Sequence, residues 1–371
     1  MAGFRVRVDV FGDAVAVFSY TNATDGVLET ATYDAFGRCV EKTDALGAVT
    51  TMAYDAQGNL IATDGATVPT RSEYDTAGRR TSLSTTRDGI LWDVTTWEYD
   101  PGTGKCLKKR QSDGGETVRT YTPDGLESLV THPSLQWCEN IYDERRRLVG
   151  TVSNDGSENA AYGYEEFGQL TSASNAESVI SFARHCGGVA TNECVQIGTN
   201  AVVFVRTVDE FGRLSGGGRE GASAQSIAYA TANRPATVSD PTLTVTYAYT
   251  PDGYDAGGSS VFSGGAAIRR EVYRDVYRPN LVLSVSNYVN NALVSSYDYA
   301  HDALGQSIRR NDDRFTYDSR RQLSSSLQTL QTPQTLQTFS YDHAGNFTET
   351  VDVNGTNVWT ANALNQYASA G

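Results

Sequence analysis

Four histidines, five cysteines and 44 acidic residues are the groups in this 371-residue sequence best suited to chemistry. His185 stands next to Cys186, a base beside a nucleophile. Adjacent residues on a strand point to opposite faces, and a catalytic pair needs a third group to orient the base. The HCGG segment therefore reads as a loop carrying a thiol. His301 and His343 fall in turn-like segments. Cys39, Cys106 and Cys138 are isolated, while Cys186 and Cys194 lie eight positions apart. That spacing allows either a small disulfide loop or free thiols. No CxxC pair is present, which argues against structural zinc. Asp34, Asp55, Asp75, Asp143, Asp318 and Asp342 recur at the start of similar segments. Calcium needs about six to eight oxygens converging on one point. A single carboxylate per segment, already required by its own turn, does not supply them. No GxSxG, HExxH, P-loop or dinucleotide motif occurs. The sequence selects no catalytic residue, no cofactor and no metal site, and the expectation is a protein that is not an enzyme.

Charge and aromatics leave binding open. The formal charge is −14, from 44 acidic and 30 basic residues. Such a balance repels nucleic acid and anionic membrane, and no basic stripe is present to track phosphates. No apolar run approaches the length of a membrane span. Trp92, Trp97, Trp137 and Trp359, with the 21 tyrosines, could form an aromatic platform for a sugar or a protein partner. Packing between strands is the plainer role for the same residues.

The recurring segment organises everything else. Tyr33, Asp34 and Gly37 belong to YDAFGR; Tyr54, Asp55 and Gly58 to YDAQGN; Tyr74, Asp75 and Gly78 to YDTAGR. Tyr341, Asp342 and Gly345 belong to YDHAGN. Looser copies place Tyr164 and Gly168 in YEEFGQ, Asp209 and Gly212 in VDEFGR, and Asp302 and Gly305 in HDALGQ. YDERRR at Tyr142 and YDSRRQ at Tyr317 keep Tyr-Asp without the glycine. Steps from Tyr33 through Tyr54, Tyr74, Tyr99, Tyr121 and Tyr142 to Tyr164 are 21, 20, 25, 22, 21 and 22 residues. In each unit the tyrosine ends a strand and the aspartate accepts backbone N–H bonds across the turn. The glycine takes a left-handed conformation before the chain leaves as the next strand. A second, less regular turn follows, as at Asp44–Gly47, Asp64–Gly65 and Asp88–Gly89.

The spacing predicts an all-β fold, a repetitive antiparallel strip of β-hairpins running through residues 1–371 as one domain. Irregular insertions are expected near 175–207, 215–228 and 250–268, and no separate catalytic domain is recognisable. The glycine-rich stretch Gly212–Ala230 reads as an outer loop, and the Leu-Gln-Thr repeats from Ser326 as a surface extension or an extra strand. Blades of a β-propeller are the rival arrangement of the same hairpins.

These YDxxG copies resemble the YD-repeat, or Rhs-repeat, proteins: bacterial Rhs and wall-associated proteins, the C component of insecticidal toxin complexes, and teneurins. The resemblance implies a β-strip wound into part or all of a hollow shell, in several bacterial members enclosing a C-terminal toxin. It implies a structural scaffold or encapsulating role within a larger protein. Its partners would be further repeats or a C-terminal cargo domain. The family's DPxG-like core motif is not recognisable, so self-cleavage does not carry over to these residues. No secretory signal is recognisable in MAGFRVRVDVFGDAV, and NALNQYASAG breaks off within the pattern. Both fit a segment of a longer exported or cell-surface protein. The alternatives are an extracellular module that binds protein or carbohydrate through exposed aromatics, and a β-rich filament subunit joined by strand edges.

Overall fold

Tyrosine, threonine and valine alternate through short runs bounded by Asp/Gly turns, and this pattern forms strands and nothing else. The computed structural model describes residues 5–11, 15–22, 26–184, 188–230, 233–329 and 334–370, with side chains from residue 29 to residue 367. Among the described residues thirty-four strands run from β1 (Arg5–Phe11) to β34 (Tyr367–Ala370). Strands pair antiparallel with chain neighbours, as β3 (Gly26–Tyr33) does with β4 (Cys39–Asp44), and β4 with β5 (Val49–Tyr54). Within each unit the chain is a meander of hairpins, and its two sets of turns form two rims. The Tyr-Asp turns lie on one rim and the less regular second turns on the other.

A register shift accompanies the repeat turns. It falls just before Tyr33, Tyr54, Tyr74, Tyr142, Tyr164, Tyr229, Tyr249, Tyr317 and Tyr341. The extra residue is a β-bulge, which sharpens the local twist at the Tyr-Asp rim.

Little of the strip is deeply buried. Among the described residues the buried apolar side chains are Ala31, Val272, Leu281 and Val285, accompanied by small polar residues such as Ser72, Ser82 and Thr86. Most other inward side chains are half-buried, so stability rests on contacts between successive hairpins, as in other repeat proteins.

Three stretches that break the sequence rhythm are strands. β17 (Ser178–Arg184), β18 (Ala190–Ile197) and β19 (Asn200–Val208) pair in order. β24 (Asp255–Phe262) and β25 (Ala267–Arg274) do the same. The glycine run read as an outer loop lies in β20 (Leu214–Arg219), which pairs with β19 and with β21 (Gln225–Tyr229). The reason is steric. A Cβ on Gly217 would sit 2.3 Å from the Val205 carbonyl oxygen, and one on Gly216 2.5 Å from that of Gln225. Glycine there lets three backbones approach closely. The Leu-Gln-Thr segment supplies β30 (Leu323–Gln328) and β31 (Thr335–Tyr341), paired through Gln328 and Thr335. His185 and Cys186 lie outside the described residues; Cys194 is a free thiol.

The chain divides into two compact units. Unit 1 comprises Met1–Glu116, Asp275–Leu283 and Tyr297–Gly371; unit 2 comprises Thr117–Arg274 and Ser284–Ser296. Unit 1 thus joins early and late repeats. Arg321 reaches Asp44 at 3.4 Å. The His343 backbone N–H donates to the Arg87 carbonyl at 2.9 Å. Arg87 pairs with Asp93 at 2.9 Å and donates to the Ala361 carbonyl at 2.5 Å. Ser112 donates to the Ala363 carbonyl at 2.8 Å. In each case a late turn of the Tyr-Asp rim docks on a second turn of the early repeats.

Candidate functional site: the ladder of repeat turns

The turn at Asp75 shows the construction. Its Oδ1 accepts the backbone N–H groups of Ala77 and Arg79, both at 2.9 Å. Its carbonyl accepts the Gly78 N–H at 2.9 Å, and its own N–H donates to the Arg79 carbonyl at 2.9 Å. The carboxylate closes an Asx-type turn, and glycine supplies the left-handed residue. Arg79 then folds back, with Nε donating to Asp75 Oδ2 at 2.7 Å. The rest of its guanidinium leaves the repeat. It lies 4.9 Å from the ring of Tyr99 and donates to the Asp100 carbonyl at 3.4 Å. Tyr99 returns the link, its hydroxyl donating to the Arg80 carbonyl at 2.8 Å.

The same four-part joint recurs. Arg38 pairs with Asp34, stacks on Tyr54 at 4.9 Å and donates to the Asp55 carbonyl at 2.9 Å. Arg147 pairs with Asp143, stacks on Tyr164 at 4.9 Å and donates to the Glu165 carbonyl at 2.9 Å. Arg213 pairs with Asp209, stacks on Tyr229 at 4.4 Å and reaches Asn233 Oδ1 at 3.0 Å. Asn59 and Asn346 hold Asp55 and Asp342 through their amides, each at 2.9 Å. Gln306 and Gln322 donate onward to the Arg321 and Gly345 carbonyls. The tyrosine hydroxyl link extends along the strip, from Tyr54 to the Cys39 carbonyl, Tyr74 to Leu60, Tyr164 to Leu148, and Tyr341 to Leu323.

The structure places Asp34, Gly37, Asp55, Gly58, Asp75 and Gly78 in turns of unit 1, together with Asp302, Gly305, Asp342 and Gly345. Gly168, Asp209 and Gly212 occupy equivalent turns of unit 2. Tyr33, Tyr54, Tyr74, Tyr164 and Tyr341 end the strands leading in. Each Asp and Gly pair works within its own turn. What joins one turn to the next is the residue after the glycine, and sequence reasoning gave that position no role. Its signal was present: Arg, Asn or Gln, all long or forked N–H donors, stands there in copy after copy.

Electrostatics follow the bonding. The backbone N–H of Arg79, then its side chain, holds the Asp75 carboxyl below the usual range; Asp34 and Asp143 behave alike with Arg38 and Arg147. For Asp55 the Asn59 amide is the main cause. At Asp209 burial is the largest influence and pushes upward, but the combined Arg213 bonds outweigh it. Burial pushes the Tyr54, Tyr99, Tyr142, Tyr317 and Tyr341 phenols up. These are fixed ions and fixed donors, committed to neighbours.

Where the motif departs from Tyr-Asp-Gly, the geometry compensates. Arg146 and Arg321 take the glycine's left-handed place, each with φ 66°. Arg146 uses its side chain to reach Asp124 at 3.2 Å, as Arg321 reaches Asp44. His301 stands in the tyrosine position; burial, then Arg278 nearby, lowers its pKa, and its Nδ1 has no hydrogen-bond partner. Trp92, Trp97, Trp137 and Trp359 are half-buried, with Arg71 over Trp92 at 4.1 Å and Trp359 edge-on to Tyr367 at 5.4 Å. Among the described residues no three His, Cys, Asp or Glu side chains converge as metal ligands would. A cavity of about 410 Å³ in unit 2 has Gly257 and Gly258 in its floor and Val245, Tyr247, Ile268 and Arg270 around it. Among the described residues no helix is long and apolar enough to cross a membrane.

Comparison with known proteins places this ladder. A family model described as RHS Repeat matches residues 33–68. No curated protein matches the chain. The fold is similar to that in a mutant Tc holotoxin pore of Photorhabdus luminescens containing TccC3. That likeness has TM-score 0.71 and 16% identity, over 92% of this chain and 22% of that one. TcdB2-TccC3 matches with TM-score 0.73 and 15% identity, over 98% of this chain and 22% of that one. TcdB2-TccC3-Cdc42 matches with TM-score 0.63 and 13% identity, over 99% of this chain and 26% of that one. This chain therefore spans 22% of the length of the first two. The chain thus carries an RHS Repeat match at residues 33–68 and shares the antiparallel strip fold of these structures.

Proposed function

We propose that the chain is a non-catalytic wall segment of a larger Rhs-type assembly. One observation carries this reading: the repeat aspartates are spent closing their own turns, and the repeat arginines and tyrosines are spent joining each turn to the next. A wall needs long lateral continuity, and the ladder supplies it with charge-assisted bonds and ring stacking at Arg38, Arg79, Arg147 and Arg213 and with onward amide bonds at Gln306 and Gln322. The docking of late turns on early ones in unit 1 adds a second direction of cohesion. Further repeats, or a cargo domain in a longer polypeptide, are the partners this role implies, and export or display at the cell surface is the setting. The length of the structural relatives supports a place within a longer chain.

The test is a cryo-electron microscopy map of the purified chain, and of any longer polypeptide that carries it. A strip forming one side of an enclosed space is the expected result. A map in which both faces of the strip lie open to solvent in the longer polypeptide would overturn the wall role. A second reading, a binding module, draws on the cavity beside Tyr247 and Arg270, where neither side chain is tied to the turn ladder. Saturable binding of a glycan or peptide that is lost in Tyr247→Ala would favour it.

A further inference from the structure

Three strands of unit 2 form the trough beside Tyr247. β23 (Leu243–Tyr249) pairs with β24, and β24 with β25. Two rows of residues cross them on one face. Tyr247, Gly258 and Arg270 stand in register, and Val245, Ser260 and Ile268 form the next row. All six line the cavity of about 410 Å³. Gly258 leaves the middle of the first row without a side chain. No larger residue fits there, because a Cβ would collide with the Thr246 carbonyl oxygen. β23 and β25 are two strand spacings apart, about 10 Å. The Tyr247 ring and the Arg270 guanidinium are therefore two walls with an open floor between them.

Neither wall is spent on the fold. A ladder arginine lies against both a ring and an aspartate, as Arg213 does with Tyr229 at 4.4 Å and Asp209 at 2.7 Å. Among the described residues Arg270 has no hydrogen bond or ion pair, and neither has the Tyr247 hydroxyl. Arg270 is exposed, Tyr247 is 40% exposed and Ile268 43%. Arg269 and Glu271 point to the opposite face, where Arg269 lies over the Tyr288 ring at 4.0 Å. The one carboxylate in the lining, Asp255, stands across from Tyr249, and its Oδ1 accepts the Gly257 N–H at 2.8 Å.

A flat apolar body between the walls would stack on Tyr247 and rest an edge on Val245 and Ile268. A carboxylate on that body would take the Arg270 fork through paired, charge-assisted bonds. Ser260 and the Tyr247 phenol are the hydroxyls of the two rows, so the face suits a ligand with one polar end over one that is polar all round. β24 is paired on both sides, which leaves no strand edge for a peptide to extend. Small-molecule sites of about 300–1,000 Å³ share this make-up, an apolar lining with a few placed polar groups. We propose that the trough binds a small aromatic carboxylate, its ring against Tyr247 and its carboxylate on Arg270. This names a ligand for the binding-module reading given above and rests on it.

The test is fluorescence anisotropy of naphthoate titrated with the 371-residue chain. Saturable one-to-one binding is expected. Naphthamide, the same ring system without the charge, should bind about tenfold more weakly, as loss of a charge-assisted bond implies. Arg270→Gln should weaken naphthoate by a similar factor and leave acid and amide nearly equal. Tyr247→Leu should weaken both by the same factor and keep the preference for the acid. The substituted side chains are exposed, and circular dichroism will verify that both variants fold. No saturable binding, equal binding of acid and amide to the unsubstituted chain, or binding unchanged in Arg270→Gln would overturn the proposal. A glycan or peptide that binds in a Tyr247-dependent way while naphthoate does not would overturn this ligand and keep the binding module. The wall role keeps its own test throughout, because it does not require the trough to be filled.

Discussion

Gly217→Ala should be one of the most damaging conservative substitutions in the chain, and Gly58→Ala a mild one. Gly58 sits in a repeat turn at φ 93° with nothing within 4 Å of a new Cβ. Its cost is the left-handed backbone alone, about 1–2 kcal/mol. Gly217 has φ 151°, and a Cβ there meets the Val205 carbonyl oxygen at 2.3 Å and the Arg206 Cα at 3.1 Å. Both are backbone atoms of the paired strand, so no side chain can swing away. Backbone strain of about 1–3 kcal/mol adds to overpacking of about 1–3 kcal/mol. The expected loss is therefore about 2–6 kcal/mol, or separation of β19 from β20. In a repeat strip the damage stays local, so global melting alone would understate it. Amide hydrogen exchange provides the direct reading. Gly217→Ala should raise exchange across β19, β20 and β21, while Gly58→Ala should leave those strands unchanged and disturb only β5 and β6 (Leu60–Gly65). If Gly217→Ala proves no worse than Gly58→Ala, close backbone approach is not why glycine occupies β20.

Three further outcomes are expected. Leu135 has φ 66° and is 76% exposed, so Leu135→Gly should raise stability in urea denaturation by about 0.5–1 kcal/mol. His301 is kept neutral by burial, with its folded pKa below 6.5. The stability this contributes is complete above pH 6.5 and lost as pH falls through the folded value, so His301→Tyr should flatten the dependence of melting temperature on pH in that acid range. Arg87→Leu should cost about 1–2 kcal/mol; faster amide exchange in β33 (Gly355–Ala361) with unchanged exchange in β17 and β18 would distinguish a lost clasp from general unfolding.

Much of the fold could be read from the chain because turn chemistry is local. Tyrosine, aspartate and glycine at fixed offsets set where strands end, and the antiparallel hairpin strip follows from the repeat length. The Gly216–Gly218 run misled because glycine has two unlike uses. In a turn it supplies positive φ, and in β20 it supplies room for a neighbouring backbone; composition alone does not separate them. The interval from Ser178 to Val208 lost the motif and kept the strands, since valine, isoleucine and phenylalanine alternate there without a Tyr-Asp turn. The linking role of Arg38, Arg79, Arg147 and Arg213 was hidden because their targets are backbone carbonyls about one repeat away, which have no letter in the sequence. Docking of Arg321 on Asp44 depends on which turns meet, and no local pattern specifies that.

Those carbonyl targets have an evolutionary consequence. Arg79 bonds to the Asp100 carbonyl, and Tyr54 to that of Cys39. A backbone carbonyl is present whatever residue stands there, so these links do not oblige neighbouring repeats to change in concert. A duplicated block would arrive with its acceptors already in place, and one repeat can drift while its neighbour keeps its own sequence. Inheritance of this architecture can therefore outlast the inheritance of letters. Similar strips occur at 13–16% identity.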